Sequence, residues 1–405
     1  MKILVLNAGS SSHKSCLYEI EEQIPEQPPV PVWEAQIDWQ KQQNQAKLIV
    51  KTKQGKKLSE KLTLSSKREA LSYLFNTLWQ GSTQVIQSLK EIDLVGHRVV
   101  HGGQKYQSSV LITTDVKAEI SRLSALAPLH NPANLEGIEL MEEILGDIPQ
   151  IAAFDTAFHS QIPDAAAIYP GSSDWIQQGI RRYGFHGISH RFCAQQASRI
   201  LGQDLNNLRL IICHLGNGAS LTAVKNGHSV DTTMGFTPVD GLMMGTRCGS
   251  IDPGIVIHLI RQGYSSAQLD QLLNRESGLK GISGVSHDWR EIEQAIAQGN
   301  QQAKLARDIY LHRLKSCLGA MLMSLGGIDA IVFTAGIGEH SAWLRAKTCE
   351  ALHFLGVSLD QSKNDNSPVN QDIATADSKI PVLVIHTQED WAIAQDCWEY
   401  LKSIS

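Results

Sequence analysis

The sequence predicts an α/β protein made of two related halves, and three observations carry that prediction. Short apolar runs alternate with segments whose apolar residues recur at helical spacing. The apolar run 3–6 gives way at once to Asn-Ala-Gly-Ser-Ser-Ser-His-Lys (7–14). In the same manner the run 209–213 gives way to His-Leu-Gly-Asn-Gly-Ala-Ser (214–220), and a further strand follows each time. The two copies share few identities, so the repeat is one of architecture. Small residues, hydroxyls and an ammonium beside a strand end suit close approach by a phosphate. A ligand-free Ser-rich turn explains the first stretch equally well, and the P-loop pattern is absent from it.

Taken in order, residues 16–20 and 46–64 continue as strands, with Lys53, Gln54, Gly55 and Lys56 as a hairpin turn. Between them "IPEQPPVP" (24–31) reads as a proline-rich surface insertion or extended loop. Leu71, Leu74, Phe75 and Leu78 recur at helical spacing, and 92–100 and 150–154 are short apolar strands. The first half is thus βββ followed by αβαβ. The second half opens with strand 209–213, and "AVKNGHSV" (223–230) supplies an Asn-Gly hairpin turn.

A chain of 405 residues has room for two domains with substantial cores. Its formal charge is −5, from 36 basic and 41 acidic residues without a long basic run, which argues against nucleic acid or an anionic membrane as partner. No apolar stretch approaches the roughly 18 residues of a membrane span. A strand beginning at residue 2 leaves no space for a signal peptide, so a cytoplasmic protein is expected. Seven cysteines without a CxxC pair suit reduced thiols.

Several stretches carry chemistry. "RVVHGGQ" (98–104) sets Arg98 in an apolar segment, where it needs an anionic ligand or a carboxylate partner in the core. "AAFDTAFH" (152–159) ends a strand at Asp155, the place where open α/β sheets keep ligands and where a helix cap also calls for Asp. "RRYGFHGISH" (181–190) flanks His186 with glycines, which fits close approach of a ligand; a satisfied core histidine is the plainer reading. "DTTMGFTPVDGLMMGTRCGSIDPG" (231–254) is a long Gly-rich loop around Arg247, of the kind that tends to be functional. "AIVFTAGIGEH" (330–340) breaks a strand at Gly336 and Gly338, offering either amides to a nucleotide or simply a tight turn. "VIHTQED" (384–390) places Glu389 and Asp390 past a strand, where one carboxylate can support a divalent cation. Two arginines, a lysine, a histidine, carboxylates and two Gly/Ser hairpins are the set that phosphoryl transfer requires. A GxSxG nucleophile with partners is absent.

These motifs, in order from residue 3 to about residue 395, resemble the acetokinase (acetate kinase) family of the acetate and sugar kinase/Hsp70/actin superfamily. The quoted stretches are joined by "APLHNP", "HLGNGAS" and "GISGVS". The resemblance implies two domains of the actin-like, ribonuclease H-like type, with mixed sheets flanked by helices around an interdomain cleft. It puts the N-terminal domain at 1–155, with 389–405 packing back on it, and the C-terminal domain at 156–388. It implies reversible transfer of the ATP γ-phosphoryl to acetate, giving acetyl phosphate and ADP, with Mg²⁺ or Mn²⁺, in a homodimer built through the C-terminal domain.

Residue by residue, Arg98 and Arg247 resemble the pair that grips the substrate carboxylate and the phosphoryl group, and His186 the donor to that phosphoryl. Asp155 resembles the carboxylate beside the attacking oxygen. Ser12, Lys14, His214, Asn217 and Gly218 resemble phosphate-hairpin and nucleotide residues, and Asp288, Arg290, Gly336 and Ile337 the adenosine pocket. Asn7 and Glu389 resemble the metal shell, and Val100, Leu129, Phe185 and Pro238 the acceptor pocket. Departures are Trp289 for the family's Phe, His13 for an aliphatic residue, Cys248 and Ser250 in the usual "RSGD", and His340 for Asn. A propionate or butyrate kinase of the same fold is the nearest alternative reading. An ATP-switched binding protein of the Hsp70/actin type is a second.

Overall fold

The computed structural model describes residues 1–9, 12–39, 45–63, 66–366 and 369–404. Ser10 and Ser11 of the first Gly/Ser stretch lie outside the described residues. The chain divides into two compact units, Met1–Ala157 with Gln388–Ser405, and Phe158–Thr387.

The first unit is built on an eight-stranded sheet ordered β5-β4-β3-β2-β1-β6-β8-β7. Its strands are β1 (Lys2–Ala8), β2 (Ser12–Glu19), β3 (Trp33–Trp39), β4 (Gln45–Thr52), β5 (Lys57–Thr63), β6 (Leu94–Val99), β7 (Val110–Leu111) and β8 (Gln150–Phe154). β1 to β5 pair antiparallel in succession, whereas β6 runs parallel to both β1 and β8. Ile3 to Leu6 are all buried because β1 is covered on both faces, the reason for an unbroken apolar run. β4 alternates between buried and exposed residues, and the edge strand β5 carries Lys57, Glu60 and Lys61, which discourage further pairing. One face packs Leu4, Leu6, Leu17, Trp33, Leu48, Leu74 and Phe75 into a core. β3 adds to the expected strands. Its alternation of Trp33, Ala35, Ile37 and Trp39 follows directly on the proline-rich stretch, which masks it in the sequence.

The C-terminal helix Glu389–Ile404 lies against β6 at Gly96. A Cβ there would stand 2.6 Å from Ile393 Cγ2 and 2.7 Å from Cys397 Sγ, so only glycine admits the helix this close. That approach carries Glu389 and Asp390 to the end of β1.

The second unit repeats the plan. Its sheet is ordered β11-β10-β9-β12-β14-β13, from β9 (Arg209–Leu215), β10 (Ala219–Lys225), β11 (His228–Thr232), β12 (Ala330–Thr334), β13 (Gln371–Asp372) and β14 (Val382–Val384). β9, β10 and β11 are antiparallel, and β9, β12 and β14 parallel. The order and directions match β3-β2-β1-β6-β8 of the first sheet. The α/β architecture of mixed sheets flanked by helices is therefore present twice. Among the described residues no helix is long and apolar enough to cross a membrane.

Candidate functional site

In the first unit the register of the first hairpin sets the site. Asn7 pairs with Lys14 and Ala8 with His13. Paired residues share a face, so Asn7 and Lys14 lie together and His13 turns to the other side. His13 is buried, with Nε2 2.9 Å from Ser15 Oγ and its ring edge-on to Phe75. It therefore lies in the core, away from the face of the hairpin that carries Asn7 and Lys14, and takes the place of the family's aliphatic residue there. Ser12 opens β2 opposite Asp38.

Five expected residues come together at this end of the sheet. Asn7 Nδ2 donates to Asp390 Oδ1 at 3.0 Å and to Glu389 Oε2 at 3.3 Å, and Asn7 Oδ1 accepts from Arg98 Nη1 at 3.2 Å. Arg98 donates from Nε and Nη2 to the Asp155 carboxylate. Lys14 Nζ lies 2.9 Å from Asp390 Oδ2 and 3.5 Å from Glu34. Burial opposes the charge on Arg98, but Asp155 and then Glu389 hold its pKa above the ordinary value. Burial likewise opposes the charge on Lys14, and Asp390 overcomes it.

Asp390 is the residue that sequence reasoning left beside the chosen Glu389. It makes the shorter bonds, to Asn7 and Lys14, because the first turn of the helix aims it inward. Asn134 is another. Its Oδ1 accepts from Val100 N at 3.1 Å and its Nδ2 donates to Ala8 O at 3.3 Å, tying the end of β1 to that of β6. Val100 is buried one residue beyond β6, so the tie to Asn134, rather than strand alternation, sets its place. Leu129 is half-buried in the turn before the helix Asn131–Leu145.

In the second unit the turn between β9 and β10 closes through Gly216 N to Gly218 O at 3.0 Å. Asn217 O accepts from Gly245 N at 3.0 Å, which ties this hairpin to the long Gly-rich loop. A Cβ on Gly218 would lie 3.4 Å from His186 Nε2 and 3.6 Å from Arg247 Nη1. His186, Gly218 and Arg247 thus converge. His186 takes the left-handed conformation (φ 57°) where the helix Gly187–Leu201 begins, an unusual backbone state for a side chain to hold. Its Nδ1 is 2.9 Å from Ser220 Oγ, and its ring stacks on His214 at 4.2 Å. His214 Nδ1 is 2.8 Å from Ser189 Oγ. Arg247 Nη1 donates to Pro238 O at 3.4 Å and lies 3.7 Å from Met244 Sδ. Phe185 is buried, and its carbonyl accepts from His159 Nε2 at 3.0 Å. Ser250 Oγ donates to Asp240 Oδ1 at 2.6 Å and accepts from Gly241 N, so it braces this loop.

A cavity of about 710 Å³ in the same unit is lined by Asn217, Asp288, Arg290, Gly336 and Ile337 together with Trp289, His340 and Trp343. Asp288 caps the helix Trp289–Ala297 and pairs with Arg290, whose hydrogen bond holds the Asp288 carboxyl below its usual range. The buried Trp289 packs on Tyr310 at 5.2 Å. Arg307 lies 4.0 Å over the Trp343 ring. Buried Arg345 donates to Gly338 O and Glu339 O and so fixes the short helix Ala335–His340, which bears Gly336 and Ile337. Ser220, Trp343 and Arg345 were not singled out from the sequence, since each acts through packing that no local pattern announces.

The family model described as the Acetokinase family matches residues 2–395. A protein of Acaryochloris marina named acetate kinase is 68% identical over 399 residues, spanning 98% of this chain and 99% of its own. The crystal structure of Porphyromonas gingivalis acetate kinase superposes with a TM-score of 0.89 at 40% identity, covering 99% of both chains. A propionate kinase from Francisella tularensis gives a TM-score of 0.89 at 39% identity, covering 98% of this chain and 99% of its own.

Proposed function

The chain belongs to the acetokinase family, and from that premise we infer its reaction: reversible in-line transfer of the ATP γ-phosphoryl to acetate, giving acetyl phosphate and ADP. It is a phosphotransferase with a carboxyl group as acceptor. The observation that carries the reading is the convergence of His186 and Arg247 on the bare face of Gly218. Fixed donors beside a glycine hairpin suit an anionic phosphoryl group whose charge spreads in a loose transition state.

In this reading an acetate oxygen forms the new bond to phosphorus as the bond to the β,γ-bridging oxygen breaks and ADP leaves. Acetate is already an anion, so Asp155 removes no proton. Its place on the Arg98 guanidinium makes it an orienting group for the arginine that grips the acceptor carboxylate. Arg247 and His186 meet the phosphoryl oxygens, and Lys14, Ser12, His214, Asn217 and Gly218 the remaining phosphates. Asp288, Arg290, Gly336 and Ile337 line the cavity taken by adenosine. Val100, Leu129, Phe185 and Pro238 are assigned to the acceptor methyl.

Among the described residues no group of three or more His, Cys, Asp or Glu side chains is set to hold a metal by itself. Asn7 Oδ1 faces Arg98 and its Nδ2 faces Glu389, so the Glu389 carboxylate would hold Mg²⁺, or Mn²⁺, and Asn7 would reach the ion through water. The bound ion would neutralise charge on the β- and γ-phosphate oxygens.

A homodimer is part of the proposal. The helix Pro253–Arg261 buries none of its residues and exposes Ile255, Ile257 and Ile260, each about half accessible, apolar surface that a second copy would cover. A cytoplasmic setting fits seven cysteines held as thiols.

Acetate is favoured over propionate because the relative at 68% identity is named an acetate kinase, whereas the propionate kinase is 39% identical. Hydroxamate trapping of the acyl phosphate tests this with ATP and acetate, propionate or butyrate, with and without Mg²⁺. Acetate should give the most product, and none without the ion. A preference for propionate, or ATP hydrolysis indifferent to carboxylates, would refute the reading.

A further inference from the structure

His190 lies in the first turn of the helix Gly187–Leu201, and His186 is the left-handed residue that precedes it. Both rings reach one hydroxyl. Ser220 Oγ is 2.9 Å from His186 Nδ1 and 2.7 Å from His190 Nε2, and Ser220 and His190 are completely buried. We propose that His190 and Ser220 are positioning residues that fix the tautomer of His186, keeping its proton on Nε2 as a donor to the transferring phosphoryl group. The proposal rests on the role given to His186 above.

Hydrogen-bond bookkeeping selects this order. Ser220 has one hydroxyl proton for two ring nitrogens, so at least one ring must donate to it. Among the described residues no group reaches His190 Nδ1, which is buried. Were Ser220 to donate to His190, the His190 proton would sit on Nδ1, a buried N–H with no acceptor. Folded proteins avoid orphaned buried donors more strictly than under-used acceptors. Were both rings to donate, the Ser220 proton would have neither ring to go to. The remaining order runs from His190 Nε2–H to Ser220 Oγ, and from the Ser220 hydroxyl to His186 Nδ1. It leaves only a lone pair unused, on His190 Nδ1.

A neutral His190 suits this chain. Burial, with His159 and His214 close by, drives its pKa well below the ordinary value. With Nδ1 accepting, the His186 proton must be on Nε2, the atom that flanks the bare face of Gly218. The other tautomer would turn a lone pair toward an anionic phosphate and repel it. One hydroxyl thus decides whether His186 attracts or opposes the transferring group.

The test is long-range ¹H–¹⁵N correlation spectroscopy of the full-length protein labelled with ¹⁵N-histidine, at neutral pH. The His186 signals are assigned by their loss in His186→Gln. The expected result is an unprotonated Nδ1 and a protonated Nε2. A proton on Nδ1, or an averaged mixture of tautomers, would overturn the proposal. Ser220→Ala should bring the averaged mixture and lower kcat roughly 2- to 10-fold, the range of one hydrogen bond, with KM for ATP within about 2-fold. An unchanged tautomer and unchanged kcat in that variant would also overturn it. If Ser220→Ala fails to fold, the wild-type spectrum decides. Full turnover by His186→Gln would refute the phosphoryl role of His186 and leave the hydrogen-bond order standing, so the two failures are distinguishable.

Discussion

The Arg98 guanidinium is locked onto the Asp155 carboxylate, with Nη2 2.6 Å from Oδ2 and Nε 3.1 Å from Oδ1, while Nη1 reaches Asn7. Asp155 is almost wholly buried, so the pair is at once a core ion pair and a candidate acceptor site.

That double character gives the first prediction. Arg98→Ala should strand a buried carboxylate and lower stability by about 3–5 kcal/mol. Adding Asp155→Asn removes the stranded charge and should restore much of that loss, while activity stays absent in the double variant. Urea unfolding and the hydroxamate assay on the four proteins of the cycle test this. Equal stability of the single and double variants would show that the pair does not protect Asp155.

Arg247 should behave as an electrostatic donor. Arg247→Ala is expected to lower kcat on the order of 10²- to 10⁴-fold, as for a lost preorganised donor. Arg247→Lys keeps the charge but loses the planar fork, so it should remain strongly impaired. Near-normal turnover in a folded Arg247→Ala protein would remove it from the reacting centre.

Buried histidines predict acid sensitivity. Burial pushes His13 down to about 4, with Asp390 opposing, and lowers His97 to about 3 and His159 to about 4. In the unfolded chain they titrate near 6.5. Between those values the unfolded state binds more protons, so stability is full above about pH 6.5 and falls as pH drops toward 4. Each group contributes up to about 1.4 kcal/mol per pH unit in that window. His13→Leu should flatten the decline, measured by urea unfolding at pH 7, 6 and 5. Parallel curves for the two proteins would contradict a neutral buried His13.

Much of the fold was legible because it is written locally. The apolar run 3–6, the small polar turn after it and the same pairing at 209–220 announce both sheets. What stayed hidden depends on register or on distant packing. Whether His13 faces the site or the core follows from its pairing with Ala8, and a one-residue slip would reverse the answer. That Asp390 rather than Glu389 meets Lys14 depends on a helix whose docking requires Gly96, almost 300 residues earlier in the chain. Trp343 joins Trp289 at the cavity only through the packing of separate helices. The motif residues took their roles from the family resemblance, since each stretch by itself also had a structural reading such as a core ion pair, a helix cap or a tight turn.

Gly336 allows the proposed nucleotide site to be tested apart from folding. A Cβ there would meet nothing within 4 Å, and the residue lines the cavity. The protein can therefore accept a side chain that a bound adenosine cannot. Gly336→Val should raise KM for ATP about tenfold or more, equivalent to about 1.4 kcal/mol of binding, with a Tm within a few degrees of wild type. An unaltered KM would place the nucleotide elsewhere.

The proposed acceptor pocket makes Val100 the side chain that should limit acceptor size. Val100 is buried next to the Arg98 strand end, and its amide is held by Asn134, so its side chain is fixed in place. If that side chain walls the acceptor methyl, propionate brings one methylene too many. A packed wall resists this by about 1–3 kcal/mol, or roughly 10- to 200-fold in kcat/KM. Propionate should therefore be a poor but detectable substrate, and butyrate poorer. Val100→Ala should open the wall and narrow the acetate-to-propionate ratio, with KM for ATP nearly unchanged because Val100 does not line the cavity assigned to adenosine. Steady-state kinetics with each carboxylate decide the matter. If the ratio does not move in a folded Val100→Ala protein, the methyl pocket is formed by other side chains.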